Sequence, residues 1–527
     1  MDAQTHLWWQ RGVVYQIYPR SFMDADGDGT GDLPGITQRL DYLAWLGVDA
    51  VWLSPIFPSP MTDFGYDVAD YCGIDPLFGT MAEFDALLAR AHALGLKLIL
   101  DFVSNHTSDR HPWFEASRGR LDGKTDWYLW RDPALGGGPP NNWMAHFGGP
   151  AWTWDAVRGQ YYCHSFLPTQ PDLNWRHPDV RRAMYDALRF WLERGVDGFR
   201  VDVIWLMIKD DQFRNNPPDP AWQPGQRPFA SQLPLYNADR PEVHEVVAEM
   251  RAVLDHYAER VLIGEIYLPI DRLVTYYGRG GRGAQLPFNF HLLLLPEWSA
   301  AALAELIWTY ESALPPSAWP NWVLGNHDRS RVATRIGPAQ ARVAAMLLLT
   351  LRGTPTLYMG EELGMADTAT PADAVRDPAE QREPGLGLGR DPERTPFLWG
   401  EGEGHGFTTG TPWLPFGTGA SLAAQRDDPA SFISLYRTLL ALRRGHEALA
   451  IGAVEDVRAE GAVLSYARTG GGARFEVVLN TGGTAVRHRA PEGAIVANTH
   501  ASLNAEILQP NQGIVINRSS FHEGETV

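Results

Sequence analysis

Eight short apolar runs, interleaved with segments of helical spacing, constrain this chain more than any other feature. The runs fall at residues 13–18, 50–53, 98–103, 196–203, 261–266, 286–290, 322–325 and 356–359. Several, such as Val261-Leu262-Ile263-Gly264, are apolar without alternation. That is the pattern of strands in a parallel sheet covered on both faces. Amphipathic segments lie between them at 36–46, 81–94, 178–194, 241–258 and 339–352, the first two followed by Gly47 and Gly95 as helix stops. Strand–helix alternation repeated eight times predicts an α/β fold: a (β/α)8 TIM barrel rather than an open doubly wound sheet.

Two regions break the rhythm. Residues 105–173 are rich in Gly, Pro, Trp and His and show no clear helix, so they are expected to form a subdomain inserted after strand 3. From 453 to 527 the pattern changes to short strands (462–467, 475–479, 494–497, 513–516) separated by turn residues, which predicts a C-terminal antiparallel β-domain of sandwich type. The barrel is then expected over 1–104 and 174–452. A polar, Pro-rich stretch (215–234) and a Gly/Pro-rich stretch (367–411) read as insertions within it.

The net charge of −18, from 45 basic and 63 acidic residues, argues against nucleic acid or an anionic membrane surface as partner and suits a neutral ligand. Only Cys72 and Cys163 are present, which implies no disulfide framework. Residues 1–10 do not resemble a secretory leader, and no run approaches the roughly 18 apolar residues of a membrane span. A cytoplasmic monomer or homodimer is expected.

Three carboxylates stand at the ends of apolar runs: Asp202, Glu265 and Asp328. An unpaired charge there is too costly to be core packing, and the C-terminal tips of barrel strands are where chemistry sits. Acids converging on one pocket suit glycosidic bond cleavage, where an oxocarbenium-like cation must be stabilised. Arg200 lies two residues before Asp202, on the same strand face, and is expected to keep that carboxylate ionised. Asp24-Ala25-Asp26-Gly27-Asp28-Gly29-Thr30-Gly31-Asp32 alternates carboxylates with glycines, a pattern able to wrap a hard cation. It is not an EF-hand, because Gly35 occupies the twelfth position, where a bidentate Glu is required.

Five blocks then carry a resemblance: Asp101-Phe102-Val103-Ser104-Asn105-His106, Gln170-Pro171-Asp172-Leu173-Asn174, Gly198-Phe199-Arg200-Val201-Asp202, Gly264-Glu265 and Asn326-His327-Asp328. In this order the chain resembles the α-amylase family of glycoside hydrolases over nearly its whole length. The Gln-Pro-Asp-Leu-Asn form, Tyr15 to Phe22 and Arg394-Thr395-Pro396 resemble its α-glucosidase and oligo-1,6-glucosidase branch. The resemblance implies Asp202 as nucleophile, Glu265 as general acid/base and Asp328 as the acid that fixes ring hydroxyls. It implies His106 and His327 as sugar-binding histidines, with Asp63 and Tyr66 gripping the terminal glucose. Arg394 is implied as the partner behind Asp63, with Arg390 competing for that role. Phe147 and Phe166 leave two readings open, an apolar wall or core packing, and His146 and His164 read as structural. One structural Ca2+ or Mg2+ is implied on Asp24, Asp26, Asp28, Asp32 and the Thr30 carbonyl, with no organic cofactor. The expected activity is release of glucose from small α-glucosides; Val203 after the nucleophile resembles enzymes acting on α-1,6 linkages. The alternatives are a glucosyl transferase or sucrose isomerase of the same family, or a transporter-associated relative without catalysis.

Overall fold

The computed structural model describes residues 6–488, 492–501 and 506–519. Eight strands, β1 (Val14–Ile17), β2 (Ala50–Leu53), β3 (Lys97–Phe102), β4 (Gly198–Val201), β5 (Val261–Gly264), β6 (Leu286–Pro287), β7 (Asn321–Val323) and β8 (Thr354–Tyr358), form one parallel sheet in the order β7-β8-β1-β2-β3-β4-β5-β6. The remaining seam, β6 to β7, is closed by a side chain. Asn321 donates from Nδ2 to the Pro287 carbonyl and accepts the Asn289 N–H on Oδ1 at 2.8 Å. The expected sixth strand therefore stops three residues early: Pro287 offers no N–H to a ladder.

Strand residues alternate between two cores. Val14, Ala50, Trp52, Ile99, Val261 and Ile263 meet inside the barrel. Val51, Leu53, Leu98, Leu100 and Leu262 point outward onto the helices. The helices follow their sequence signals. Leu33–Leu46 begins at Asp32, whose carboxylate accepts the Gly35 N–H, and ends at Gly47 with φ 102°. Met81–Ala93 starts with the Thr80/Glu83 capping box. Pro178–Arg194 stops at Gly195, φ 108°.

The excursion after β3 departs from expectation in one respect: it holds a helix, Pro112–Arg118. Seven residues are too few for an apolar period to show, and the helix rests on Pro112 at its first position and on His111, whose ring nitrogen accepts the Trp113 N–H. Beyond it, strands Trp130–Arg131, Gln160–Cys163 and Trp152–Asp155 form a small antiparallel sheet in that order. At the C-terminus, Ala453–Glu460, Val463–Gly470, Ala473–Asn480, Gly513–Asn517 and Ala494–Asn498 build a five-stranded antiparallel sheet, with Val486–Arg487 and Ile507–Leu508 in a separate ladder. One sheet plus a ladder thus occupies the described part of the region read as a sandwich, and residues 489–491, 502–505 and 520–527 of that expectation lie outside the described residues. Strand Ala453–Glu460 escapes a hydrophobicity reading because it is mostly exposed and polar. No described helix is long and apolar enough to cross a membrane.

Candidate active site

The C-terminal ends of β2, β3, β4, β5 and β7 surround a cavity of about 380 Å³. Asp202 follows β4 directly and Glu265 follows β5 directly, so both carboxyls leave the sheet at the same level. Both line the cavity, together with Asp328, Asp63, Tyr66, His106, Phe147 and Phe166. The two phenylalanines are half-buried in its wall, and Phe166 also packs against the main core.

Arg200 organises the acids from below. Wholly buried in β4, it reaches Asp202 Oδ1 at 2.8 Å, Glu265 Oε2 at 2.9 Å and Asp101 Oδ1 on the neighbouring strand at 2.8 Å. The Val203 N–H donates to Glu265 Oε2 at 2.9 Å from a left-handed backbone, φ 34°, a conformation that is rare for a β-branched residue and stores strain beside the nucleophile position. Burial and the Glu265 carboxylate push Asp202 well above the usual carboxylate range; Arg200 pulls against them without prevailing. Arg200 thus acts in the expected direction, toward the ionised form, but burial and Glu265 outweigh it. A neighbouring carboxylate in a buried site disfavours the charged form of Asp202.

Asp328 lies on the other side of the balance. Burial alone would raise it, but His327, Arg390 and Arg394 hold it well below the ordinary range. His327 is itself kept neutral by burial, so the arginines supply the charge. The Gln16 amide donates to His327 Nδ1 at 2.7 Å, which leaves Nε2 to face the Tyr66 hydroxyl at 2.7 Å; Tyr66 in turn donates to Asp101 Oδ2 at 3.0 Å. The Tyr66 and His327 rings are stacked 5.4 Å apart. His106 is buried and neutral, shifted down to about 4, and its Nε2 faces the Tyr66 carbonyl at 3.0 Å.

The arginine paired with Asp63 is Arg390, not Arg394. Arg390 Nη2 meets Asp63 Oδ1 at 2.8 Å, and its other nitrogens reach Asp328 and Asp377. Arg394 is fully buried behind the wall, bonded to the His327 carbonyl at 2.7 Å and Asp328 at 2.8 Å. Sequence offers two arginines four apart in an irregular segment, and only the chain path decides which guanidinium enters the cavity. Burial pushes Asp63 up to about 6 against the pull of Arg390. Gln170 also donates to Asp63, at 3.1 Å, and Asp172 pairs with the buried Lys209 at 3.0 Å, so the Gln-Pro-Asp-Leu-Asn block pins the excursion to the site.

Sequence reasoning missed several lining residues. His146, read as structural, stacks between Phe166 (5.0 Å) and Phe229 (3.8 Å) in the cavity wall. Phe229 and Arg227 come from the 215–234 insertion, which shows no period that would mark it. Tyr267, two residues beyond Glu265, is a further lining residue.

Away from the cavity, carboxylate oxygens of Asp24, Asp26 and Asp28 lie within 4.8 Å of one another. An all-oxygen donor set of this kind suits a hard cation. Asp32 stands outside that group: its carboxylate accepts the N–H groups of Gly35, Ala25 and Asp26.

An eight-stranded parallel barrel with acids from separate strands around one sugar-sized cavity has the architecture of a glycoside hydrolase. The family model described as "Alpha amylase, catalytic domain" matches residues 16–452. A probable α-glucosidase of Rhizobium meliloti is 42% identical over 503 residues, covering 92% of this chain and 91% of that relative. An oligo-1,6-glucosidase of Parageobacillus thermoglucosidasius is 38% identical over 90% of each chain. Among solved structures, the α-glucosyl transfer enzyme XgtA superposes with a TM-score of 0.91 at 39% identity, over 97% of this chain and 100% of that one. The trehalulose synthase MutB of Pseudomonas mesoacidophila gives 0.87 at 34%, again over 97% and 100%. The chain belongs to the α-amylase family, in its α-glucosidase and oligo-1,6-glucosidase branch, and is a glycoside hydrolase.

Proposed function

We propose a retaining, exo-acting α-glucosidase that releases terminal glucose from short α-1,6- and α-1,4-linked glucosides, with sucrose and trehalose as further candidates. The observation that supports this best is the Asp63–Arg390 ion pair beside Asp328 at the cavity floor. It closes one end, so a single non-reducing glucose fits below the reacting bond. The reactive form has Asp202 ionised beside Arg200 and the proton on Glu265: Asp202 attacks the anomeric carbon while Glu265 gives that proton to the leaving oxygen. Water, deprotonated by Glu265, then cleaves the glucosyl ester on Asp202, and Asp328 holds ring hydroxyls throughout. Val203 beside the nucleophile favours α-1,6 linkages; an apolar contact of this kind shifts preference by about 1–3 kcal/mol.

Asp202→Asn is expected to lower kcat by about 10⁴-fold or more with the fold intact by circular dichroism. NMR of the first product should show α-glucose; β-glucose would reject retention. A second reading, glucosyl transfer or sucrose isomerisation, is favoured by the names of the two structural neighbours above. Products formed at high sucrose concentration separate the two readings. We also propose that Asp24, Asp26 and Asp28 hold one structural Ca2+ or Mg2+, with the Thr30 carbonyl; the ion would stabilise the loop and take no part in catalysis. A cytoplasmic location and a monomer or homodimer remain part of the proposal.

A further inference from the structure

Building on that reading of the pocket, we infer that the leaving-group side recognises an anion, so that the preferred substrates are α-glucosides whose departing sugar carries a phosphate. Arg227 and Arg329 line both the 380 Å³ cavity and an adjoining one of about 590 Å³. Asp328, Leu388 and Arg390 line both as well, so the two cavities meet at the arginines.

Arg390 is spent on Asp63, Asp328 and Asp377. Among the described residues, neither Arg227 nor Arg329 closes an ion pair. Arg329 lies 5.2 Å from the Tyr267 ring centroid, and its Nε is buried without a hydrogen-bond partner. Burial opposes its charge, but Tyr267, Asp328 and Glu265 outweigh burial and hold Arg329 above its ordinary range without closing an ion pair. Arg227 is an exposed residue of the insertion; burial of its side chain, Arg329 and Arg390 lower it, while Glu383 and Asp377 favour its charge without pairing with it. Three guanidinium groups thus converge where two have no counter-ion, in a chain of net charge −18. An anion seated there would supply the ion-pair partner that Arg227 and Arg329 do not find in the described residues.

Nearby acids do not fill that role. Asp367 accepts the Ser330 hydroxyl and the Arg331 N–H, Glu380 accepts three backbone N–H groups, and Asp391 accepts two. Burial pushes Glu393 up to about 8, so it bears little charge at pH 7. A phosphate matches the donor geometry of paired guanidinium groups better than a neutral hydroxyl does. The chemistry is unchanged hydrolysis. The bond from glucose C1 to the leaving oxygen breaks, a bond from C1 to water oxygen replaces it, and the leaving oxygen gains a proton. The phosphate ester stays intact.

The test compares two matched pairs: maltose against maltose phosphorylated at C6 of its reducing glucose, and sucrose against sucrose phosphorylated at C6 of its fructose. In at least one pair kcat/KM is expected to favour the phosphorylated member about tenfold or more. That ratio should fall at least threefold in 0.5 M NaCl and return toward one in Arg227→Gln/Arg329→Gln. A ratio of one or below in both pairs, cleavage of no member, or a preference untouched by the double substitution overturns the inference. Efficient hydrolysis of neutral members alone would overturn it while leaving the α-glucosidase reading standing.

Discussion

Asp63 and Arg390 show how much one side-chain pair decides. The pair closes the pocket only while Asp63 is ionised, and burial has moved that ionisation up to about 6. Above this value the carboxylate is charged and paired; as pH falls through it, Asp63 protonates and the pair weakens. Glucose, a neutral product inhibitor, is therefore expected to bind several-fold more weakly at pH 5 than at pH 7, read as its Ki. Arg390→Lys should raise Ki and KM about tenfold or more, because a single ammonium cannot span Asp63, Asp328 and Asp377 as a guanidinium does. An equal loss in Arg394→Lys with no loss in Arg390→Lys would return the role to Arg394. Both arginines were visible in the sequence; their division of labour was not, because it depends on how residues 367–411 wind over the barrel mouth.

At the scale of elements, two short segments respond to solution conditions. The loop from Asp24 to Asp28 gathers three carboxylates that repel one another unless a cation is present. Chelation is expected to lower Tm by several degrees, and added Ca2+ should restore it; Asp26→Asn should abolish that response. Helix Pro112–Arg118 depends on a histidine cap. Burial alone takes His111 down to about 3, below its value near 6.5 in the unfolded chain. Its folded value being the lower one, its contribution is present above pH 6.5 and is lost as pH falls toward 3. His111→Asn keeps an acceptor at the cap and removes the titration. Urea midpoints from pH 6.5 to 4 should thus fall less steeply in the variant, by up to about 1.4 kcal/mol per pH unit. No apolar period marks this helix, since one or two capped turns are too short to show one.

The whole molecule is joined by buried arginines rather than by apolar contact alone. Arg443, on helix Phe432–Gly445, donates to the carbonyls of Leu349, Leu351, Gly353, Leu449 and Ala450. Arg468, on the C-terminal sheet, donates to those of Thr350, Gly452 and Ala453. Together they tie the end of the helix before β8 to the C-terminal domain. Arg443→Met leaves these carbonyls short of donors and is expected to cost about 3–5 kcal/mol in denaturant unfolding, with kcat nearly unchanged. A loss below 1 kcal/mol would show that water replaces the guanidinium.

By itself the sequence determined what is local or periodic. Continuous apolar runs dictate buried parallel strands, their number dictates a closed barrel, and an acid at the end of such a run has nowhere to go but the rim. Asp202, Glu265 and Asp328 were legible for that reason, the Asp24 loop through its alternation of carboxylates with glycines, and Asp63 through the family resemblance. Tertiary structure alone decided the rest: that Arg390 and not Arg394 meets Asp63, that His146, Phe229 and Arg227 form a wall, and that Glu265 presses Asp202 toward protonation. Those outcomes turn on distances between segments far apart in the chain, and neither side-chain pairing across space nor the loss of solvent that shifts an acid leaves a period in the sequence.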